Sequence, residues 1–504
     1  MEKNFAKIKN ILDKTGCHCI VQQTRKTEFD TMEEKTFSVL LPAPAGLREN
    51  GEIFPLKKLT SFSVTKKFSA AVPELKRVFA VLALNVEECS GNAALTVSEA
   101  ALPPEAWEMT IDANGIAVSA GDLNGAIYAL TALGQMLFAA TITGDPAAVL
   151  HGVKIHDEPR FARRGFLLDS ARHFQSKQEI KKLLRVLALF RINSFHWHLV
   201  DGPGWRYASG TAPLLDGRGT MSDGQYSRED IQEISAFAKT LGISIVPEVD
   251  VPGHSDFLLK HYPQFACDPQ NPGSELCIGN PETMNFLKSM FTELMELFPD
   301  SPVIHLGGDE AAVEHWENCP ECRAALQKKG LANMRELEND FMVELSRFIV
   351  KSGRTPMVWG TCSGQVYPAD TMIQAWLDIR EPLKIAPFGN KVIYSVCNSL
   401  YFDYPANLCE PWQSWMFSLD EKGVYMTDPH VIWADQVRDC IAGIEACLWT
   451  EMLPQHRIFA KLFPRIAAYC ECAWSKPENK QWASYFHRRE LLEAAGYFDY
   501  VKGV

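Results

Sequence analysis

Between Gly165 and Val251 the chain opens on GFLLD (165–169), runs through SKQEIKKLLRVLALFRINSFHWHLV (176–200) and closes on SIVPEVDV (244–251). Ser176 and Glu179 have the spacing of a capping box, and Ile180, Leu183, Leu184 and Leu187 follow at helical intervals on one apolar stripe. A second helix is predicted from Ser227 through Ile231, Ile234 and Phe237, closed by Gly242 just before the next apolar run. Strand-like runs alternating with amphipathic helices are the order of a parallel sheet with crossover helices.

Five further runs continue the pattern after SFHWHLV and SIVPEVDV: VIHLGGDE (303–310), TPMVWG (355–360), TMIQAW (371–376), KVIYSV (391–396) and IEACLW (444–449). Eight strands close a (β/α)8 TIM barrel, and Arg163 to Trp474 fits the size of one with insertions. Upstream, FAVLALNV (79–86), ALTVSEA (94–100), WEMTIDANGIAVSA (107–120) and GAIYALTALGQMLF (125–138) suggest a small sheet with a covering helix. Asp112, Asn114 and Gly115 mark a hairpin there. The predicted class is therefore α/β, a TIM barrel preceded by a small α/β domain. The boundary is expected between Asp145 and Arg163, where Pro146, Gly152 and Pro159 interrupt the pattern. That gives a supporting domain over 1–155 and a barrel with a C-terminal helical extension over 156–504.

In 504 residues, 46% hydrophobic and 22% charged content is ordinary globular usage, enough for a sizeable core. Fifty Lys and Arg against 62 Asp and Glu leave a net charge of −12, which argues against nucleic acid or anionic lipid as partners. The uncharged stretch 123–144 is long enough to span a bilayer, but Asn124, Thr131, Gln135 and its glycines make a buried helix the better reading. The N-terminal MEKNFAKIKNILDKTGCHC builds no apolar run of the secretory kind, so a cytoplasmic location is expected. The 14 cysteines are then reduced thiols. Of the pairs Cys17/Cys19, Cys319/Cys322 and Cys470/Cys472, only the middle one has C-x-x-C spacing, with no second knuckle or His pair nearby. No metal and no cofactor are assigned.

Nearly every predicted strand ends in groups able to bind or react, and in a barrel those ends share one face. Asp169 and Arg172 follow the first, His198, Asp201 and Trp205 the second, Glu248, Asp250 and His254 the third, and Asp309 and Glu310 the fourth. Trp359, Trp376, Tyr401 with Asp403, and Trp449 with Glu451 complete the circuit. In HLGGDE two glycines allow a tight turn that brings adjacent carboxylates into one pocket. Their repulsion and partial burial should raise one pKa, as general acid catalysis of acetal cleavage requires. The tryptophans suit the apolar faces of a sugar.

At these residues the chain resembles glycoside hydrolase family 20, the β-N-acetylhexosaminidases. The resemblance rests on GFLLDSARHF (165–174), HWHLVD (196–201) with Gly204-Trp205-Arg206, PEVDVPGH (247–254) and HLGGDE (305–310), then the VWG, QAW, YFD and LWTE segments in the family's order. It implies retaining exo-hydrolysis of terminal β-linked N-acetylglucosamine, or N-acetylgalactosamine, with the substrate's own acetamido oxygen attacking C1. By resemblance Glu310 is the acid and base, Asp309 holds the acetamido N–H, and Tyr401 donates to the acetamido oxygen. Trp359, Trp376 and Trp449 would enclose the methyl group, and Arg172, Asp403 and Glu451 would grip the sugar hydroxyls. Asp201 and His254 match supporting groups near the acid. One departure stands out: after Asp201 the family's usual hydrogen-bonding side chains give way to Gly202-Pro203. Two other readings remain at this stage, a metal-dependent barrel hydrolase using His196, His198, His254, His305 and Asp309, and a sugar-binding protein without turnover.

Overall fold

A computed structural model describes residues 35–142, 147–360, 367–407, 409–430 and 435–503. The N-terminal stretch with Cys17 and Cys19, and Asp145 with Pro146, lie outside the described residues.

Eight parallel strands close the barrel: β1 (Arg163–Asp169), β2 (Ser194–His198), β3 (Ser244–Glu248), β4 (Val303–His305), β5 (Thr355–Trp359), β6 (Met372–Ala375), β7 (Lys391–Tyr394) and β8 (Ile441–Leu448). Each falls within or overlaps one of the eight predicted runs. Closure is made by β8 on β1, from Gly443 opposite Arg163 to Leu448 opposite Leu168.

The first crossover helix, α1 (Lys177–Leu189), starts where Ser176 Oγ accepts from the Glu179 N–H. It buries Ile180, Leu183, Leu184 and Leu187, the stripe read from sequence. In α2 (Arg228–Thr240) Ser227 and Asp230 complete a reciprocal capping box. Gly242 then turns the chain at φ 69° toward β3.

The upstream sheet has seven strands, in the spatial order Gly46–Pro55, Val149–Asp157, Trp107–Ile111, Ile116–Ala120, Leu95–Glu99, Ser61–Val64, Glu87–Glu88. The hairpin at Asp112–Gly115 pairs Ile111 with Ile116. One expectation is corrected. FAVLALNV is not a strand: its first residues end the helix Val72–Val81, because Val72, Leu75, Val78 and Phe79 recur at helical spacing and Pro73 opens the first turn. The helix Leu123–Thr141 is buried from Gly125 to Phe138, packed on the sheet and on the C-terminal helix Trp482–Ala494. The last sheet strand runs to Asp157, inside the Asp145–Arg163 interval read from sequence and just past the division at 155.

Sheet and barrel are joined by buried charge. Arg164 on β1 makes a two-pronged pair with Glu105, at 2.7 and 2.9 Å, and Arg191 meets Asp157 at 2.6 Å.

Inside the barrel the polar residues lie in a connected network. His196 Nδ1 is 2.7 Å from Glu445 and its Nε2 is 3.1 Å from Glu248. His305 Nδ1 is 2.9 Å from Glu248, and Gln374 donates to Glu445 at 3.0 Å. All five are wholly buried. These pairings offset the cost of burying such groups, while His305 Nε2 and Gln374 Oε1 are left without a hydrogen-bond partner.

Candidate active site

Past β4 the backbone turns sharply through Gly307 (φ 73°) and Gly308 (φ 98°). A Cβ at Gly307 would sit 1.8 Å from Asp250 Oδ1, the oxygen that accepts from the Gly308 N–H at 3.2 Å. Only glycine admits that approach, so the turn is locked to the end of β3. Beyond it Asp309 points inward and is buried, whereas the Glu310 side chain is 60% exposed. Glu310 (φ 51°) and His254 (φ 52°) both hold a left-handed backbone, a strained conformation typical of functional sites.

His254 faces four carboxylates: Asp201 at 3.3 Å, Glu310 at 3.6 Å, and Asp250 and Asp309 at 3.9 Å. Burial alone would lower its pKa, but Asp250 and Asp201 outweigh this and hold it well above the ordinary imidazole value. Arg172 pairs with Asp201 at 2.8 Å, lies 3.5 Å from Asp169 and 3.7 Å from Glu451, and stands over the Trp449 ring at 5.1 Å. Burial would raise Asp201, yet Arg172 and His254 keep it well below the usual carboxylate range. Asp309 moves the other way: burial, with Glu248 and Glu310 adding repulsion, pushes it up to about 6 against the pull of His254. Burial and the nearby Glu451 raise Asp403 to about 8.

Ten of the eleven predicted site residues line one cavity of about 530 Å3: Arg172, Asp201, His254, Asp309, Glu310, Trp376, Tyr401, Asp403, Trp449 and Glu451. The eleventh, Trp359, is 1% exposed. It donates its indole N–H to Glu248 at 2.7 Å, with its ring 6.5 Å from Trp376 and 5.8 Å from Trp449. Tyr401 is 5.9 Å from Trp449. Several buried polar atoms here have no hydrogen-bond partner in the protein: Asp309 Oδ1, His254 Nε2, Asp403 Oδ1, Trp376 Nε1 and Trp449 Nε1. Unsatisfied groups this concentrated are rare in a folded interior and are the donors and acceptors a polar ligand would meet.

The Gly202-Pro203 departure leaves Asp201 firmly held. Val200–Asp201 pairs with Gly204–Trp205 in a short hairpin, Gly202 N–H donates to Asp201 at 2.6 Å, and His198 Nε2 lies 2.9 Å away.

Sequence reasoning placed Asp250 at the end of the third strand without giving it a role, and left out Tyr404, Trp415, Met416 and Phe417; all five line the cavity. Glu248, also named at that strand end without a role, joins His196, His198, His305 and Trp359 beneath the cavity. The aromatic cluster PWQSWMF (411–417) was the available signal for the outer wall.

Residues 161–477 match the catalytic domain of glycosyl hydrolase family 20, and residues 38–158 match domain 2 of the same family. The chain belongs to glycoside hydrolase family 20. A β-hexosaminidase of Akkermansia muciniphila is 30% identical to this family 20 enzyme over 78% of this chain and 83% of its own. β-Hexosaminidase A of Caenorhabditis elegans is 29% identical over 78% and 75%. Among solved structures, an exo-β-N-acetylglucosaminidase from Vibrio harveyi superposes with a TM-score of 0.83 at 26% identity, over 92% of this chain and 78% of that one. A β-N-acetylhexosaminidase from Bacteroides fragilis gives 0.80 at 27%, over 92% and 96%. The family decides against the metal-dependent hydrolase reading. In the family 20 enzyme His196 and His305 are tied to carboxylates inside the barrel, and neither lines the cavity.

Proposed function

We propose that this family 20 β-hexosaminidase removes terminal, non-reducing β-linked N-acetylglucosamine with the substrate's acetamido group as nucleophile. The observation that carries the reading is the pairing of a buried Asp309, with one oxygen unpartnered inside an aromatic-lined cavity, and an exposed Glu310 beside it. Asp309 suits an acetamido N–H, which it orients, and the positive charge that develops as the ring closes. Tyr401 donates to the acetamido oxygen, Trp376 and Trp449 flank the methyl group, and Trp359 supports both rings from within.

Glu310 protonates the glycosidic oxygen while the acetamido oxygen attacks C1 and the C1–O bond breaks. The resulting oxazolinium is opened at C1 by water that gives its proton to the Glu310 carboxylate, so the anomeric configuration is retained. Tethering the nucleophile to the reacting sugar converts attack into an intramolecular step. Arg172, Glu451 and Asp403 take the sugar hydroxyls. Asp403, pushed up to about 8, is protonated at pH 7 and can donate. The exposed Trp415 and Phe417 form a wall for the aglycone. A cytoplasmic site of action is part of the proposal, supported by none of the eleven described cysteines forming a disulfide.

The test is release of 4-nitrophenol from the β-N-acetylglucosaminide, the β-N-acetylgalactosaminide and the plain β-glucoside. Turnover of the acetamido sugars alone is expected, with the glucosaminide preferred. Equal turnover of the glucoside would mean that a protein carboxylate is the nucleophile.

A further inference from the structure

Outside the active site, Cys267 and Cys277 from the loop after β3 meet Cys319 and Cys322 from the loop after β4, although 42 residues separate Cys277 from Cys319. The sulfurs of Cys277 and Cys319 are 3.7 Å apart, those of Cys277 and Cys322 3.7 Å, and those of Cys267 and Cys322 3.8 Å. All four lie within 4.8 Å of one another. Four sulfurs about 2.3 Å from a central zinc ion form a tetrahedron with edges of about 3.8 Å, whereas a disulfide requires about 2.05 Å. Three sulfurs are buried and Cys267 is half-buried. The sequence reading, which found no second pair near Cys319-x-x-Cys322, is corrected here: the partner is a C-x9-C pair that the fold carries in from the preceding loop.

We infer that Cys267, Cys277, Cys319 and Cys322 form a tetrahedral four-thiolate site for a structural zinc ion. The donor set is all sulfur and leaves no position for water, which separates a structural site from a catalytic one. Zinc displaces the thiol protons, and the bound cluster carries two net negative charges. Cys319 stands at the N-cap position of the helix Pro320–Lys329, whose N–H groups and positive end favour that charge. The Cys277 thiol, 3.6 Å from Glu321 Oε2, exchanges that contact for the metal.

The placement gives the ion a task. The first loop carries His254 and the second carries Asp309 and Glu310. At the barrel rim Gly308 N–H meets Asp250 at 3.2 Å and Val251 N–H meets Leu306 O at 3.2 Å; farther out, toward the cysteines, Ala312 N–H reaches Glu275 at 3.2 Å and Trp316 Nε1–H reaches Leu276 O at 2.9 Å. Within the first loop, Leu276 N–H reaches Pro252 O at 2.9 Å and Ser255 N–H reaches Ser274 O at 2.9 Å, so the segment that holds the cysteines also backs His254. Zinc would fasten the two loops beside the acid.

The experiment is metal analysis of the full chain purified without chelator, followed by titration with an organomercurial in the presence of a colorimetric zinc indicator. One zinc per chain is expected, released only as thiols react. Cys319→Ser with Cys322→Ser is expected to lose the zinc and to melt at a lower temperature. Should that variant fail to fold, the titration of the unaltered protein still decides. A chain carrying no stoichiometric zinc, whether its four thiols react freely or its intact mass is four hydrogens short through two disulfides, would overturn the inference.

Discussion

Glu310 and Asp309 are adjacent in sequence and opposite in environment, one on the cavity rim with a left-handed backbone, the other buried among carboxylates. The roles proposed for them predict different losses. Glu310→Gln should lower kcat by about 10² to 10⁴, since both proton transfers pass through it, with KM little changed. Asp309 must be ionised to stabilise the oxazolinium, and its pKa is raised to about 6 in the free enzyme. The kcat/KM profile should therefore fall as pH drops through about 6, and Asp309→Asn should remove that acid limb along with most of the rate. An unchanged limb in the variant would assign the titration elsewhere. These two residues were legible because HLGGDE is compact in sequence. Glu248 was not legible as a hub, because its partners come from β2, β4 and β5 and only closure of the barrel gathers them.

The turn after β4 and the wall after β7 belong to the scale of elements. Gly307 has φ 73° and no room for a Cβ, whereas Gly330 has φ 66° with nothing within 4 Å. Gly307→Ala should therefore cost roughly 1–3 kcal/mol in stability and abolish activity by displacing Asp309. Gly330→Ala should cost about 1 kcal/mol and leave kcat unchanged. Thermal melts and kinetics on both variants check this. In the outer wall, Trp415 is 59% exposed and Phe417 62%. Trp415→Ala should raise KM for a disaccharide severalfold more than for a methyl glycoside. Helix starts were readable because Ser176 and Ser227 cap locally. FAVLALNV misled because an isolated apolar run has no period of its own, and its helical register is evident only with Val72 and Leu75 included.

The whole molecule is held together by charge buried where sheet and barrel meet. Glu105, in the loop before the strand Trp107–Ile111, faces Arg164 on β1. Burial would raise its carboxyl, but Arg164 and two asparagines keep it below the ordinary value. Its contribution is thus present above the unfolded-state pKa and is lost as pH falls through the lower folded one. Glu105→Gln leaves the guanidinium buried without its counter-charge and should destabilise the fold by about 3–5 kcal/mol, read as a lower melting temperature at pH 7. The barrel itself was visible as eight apolar runs separated by helical stretches or loops. The weld and the cysteine cluster were not, because Glu105 and Arg164 are 59 residues apart and Cys267 and Cys322 are 55 apart, beyond the reach of any local pattern.

The most direct measurement of the proposed mechanism compares kcat/KM for 4-nitrophenyl β-glucosaminides whose N-acyl group carries zero, one, two or three fluorines. If the acyl oxygen is the nucleophile, each fluorine withdraws electron density from it, and the rate constant should fall steeply along the series. A flat series would contradict substrate assistance and return the nucleophile to a carboxylate of the protein.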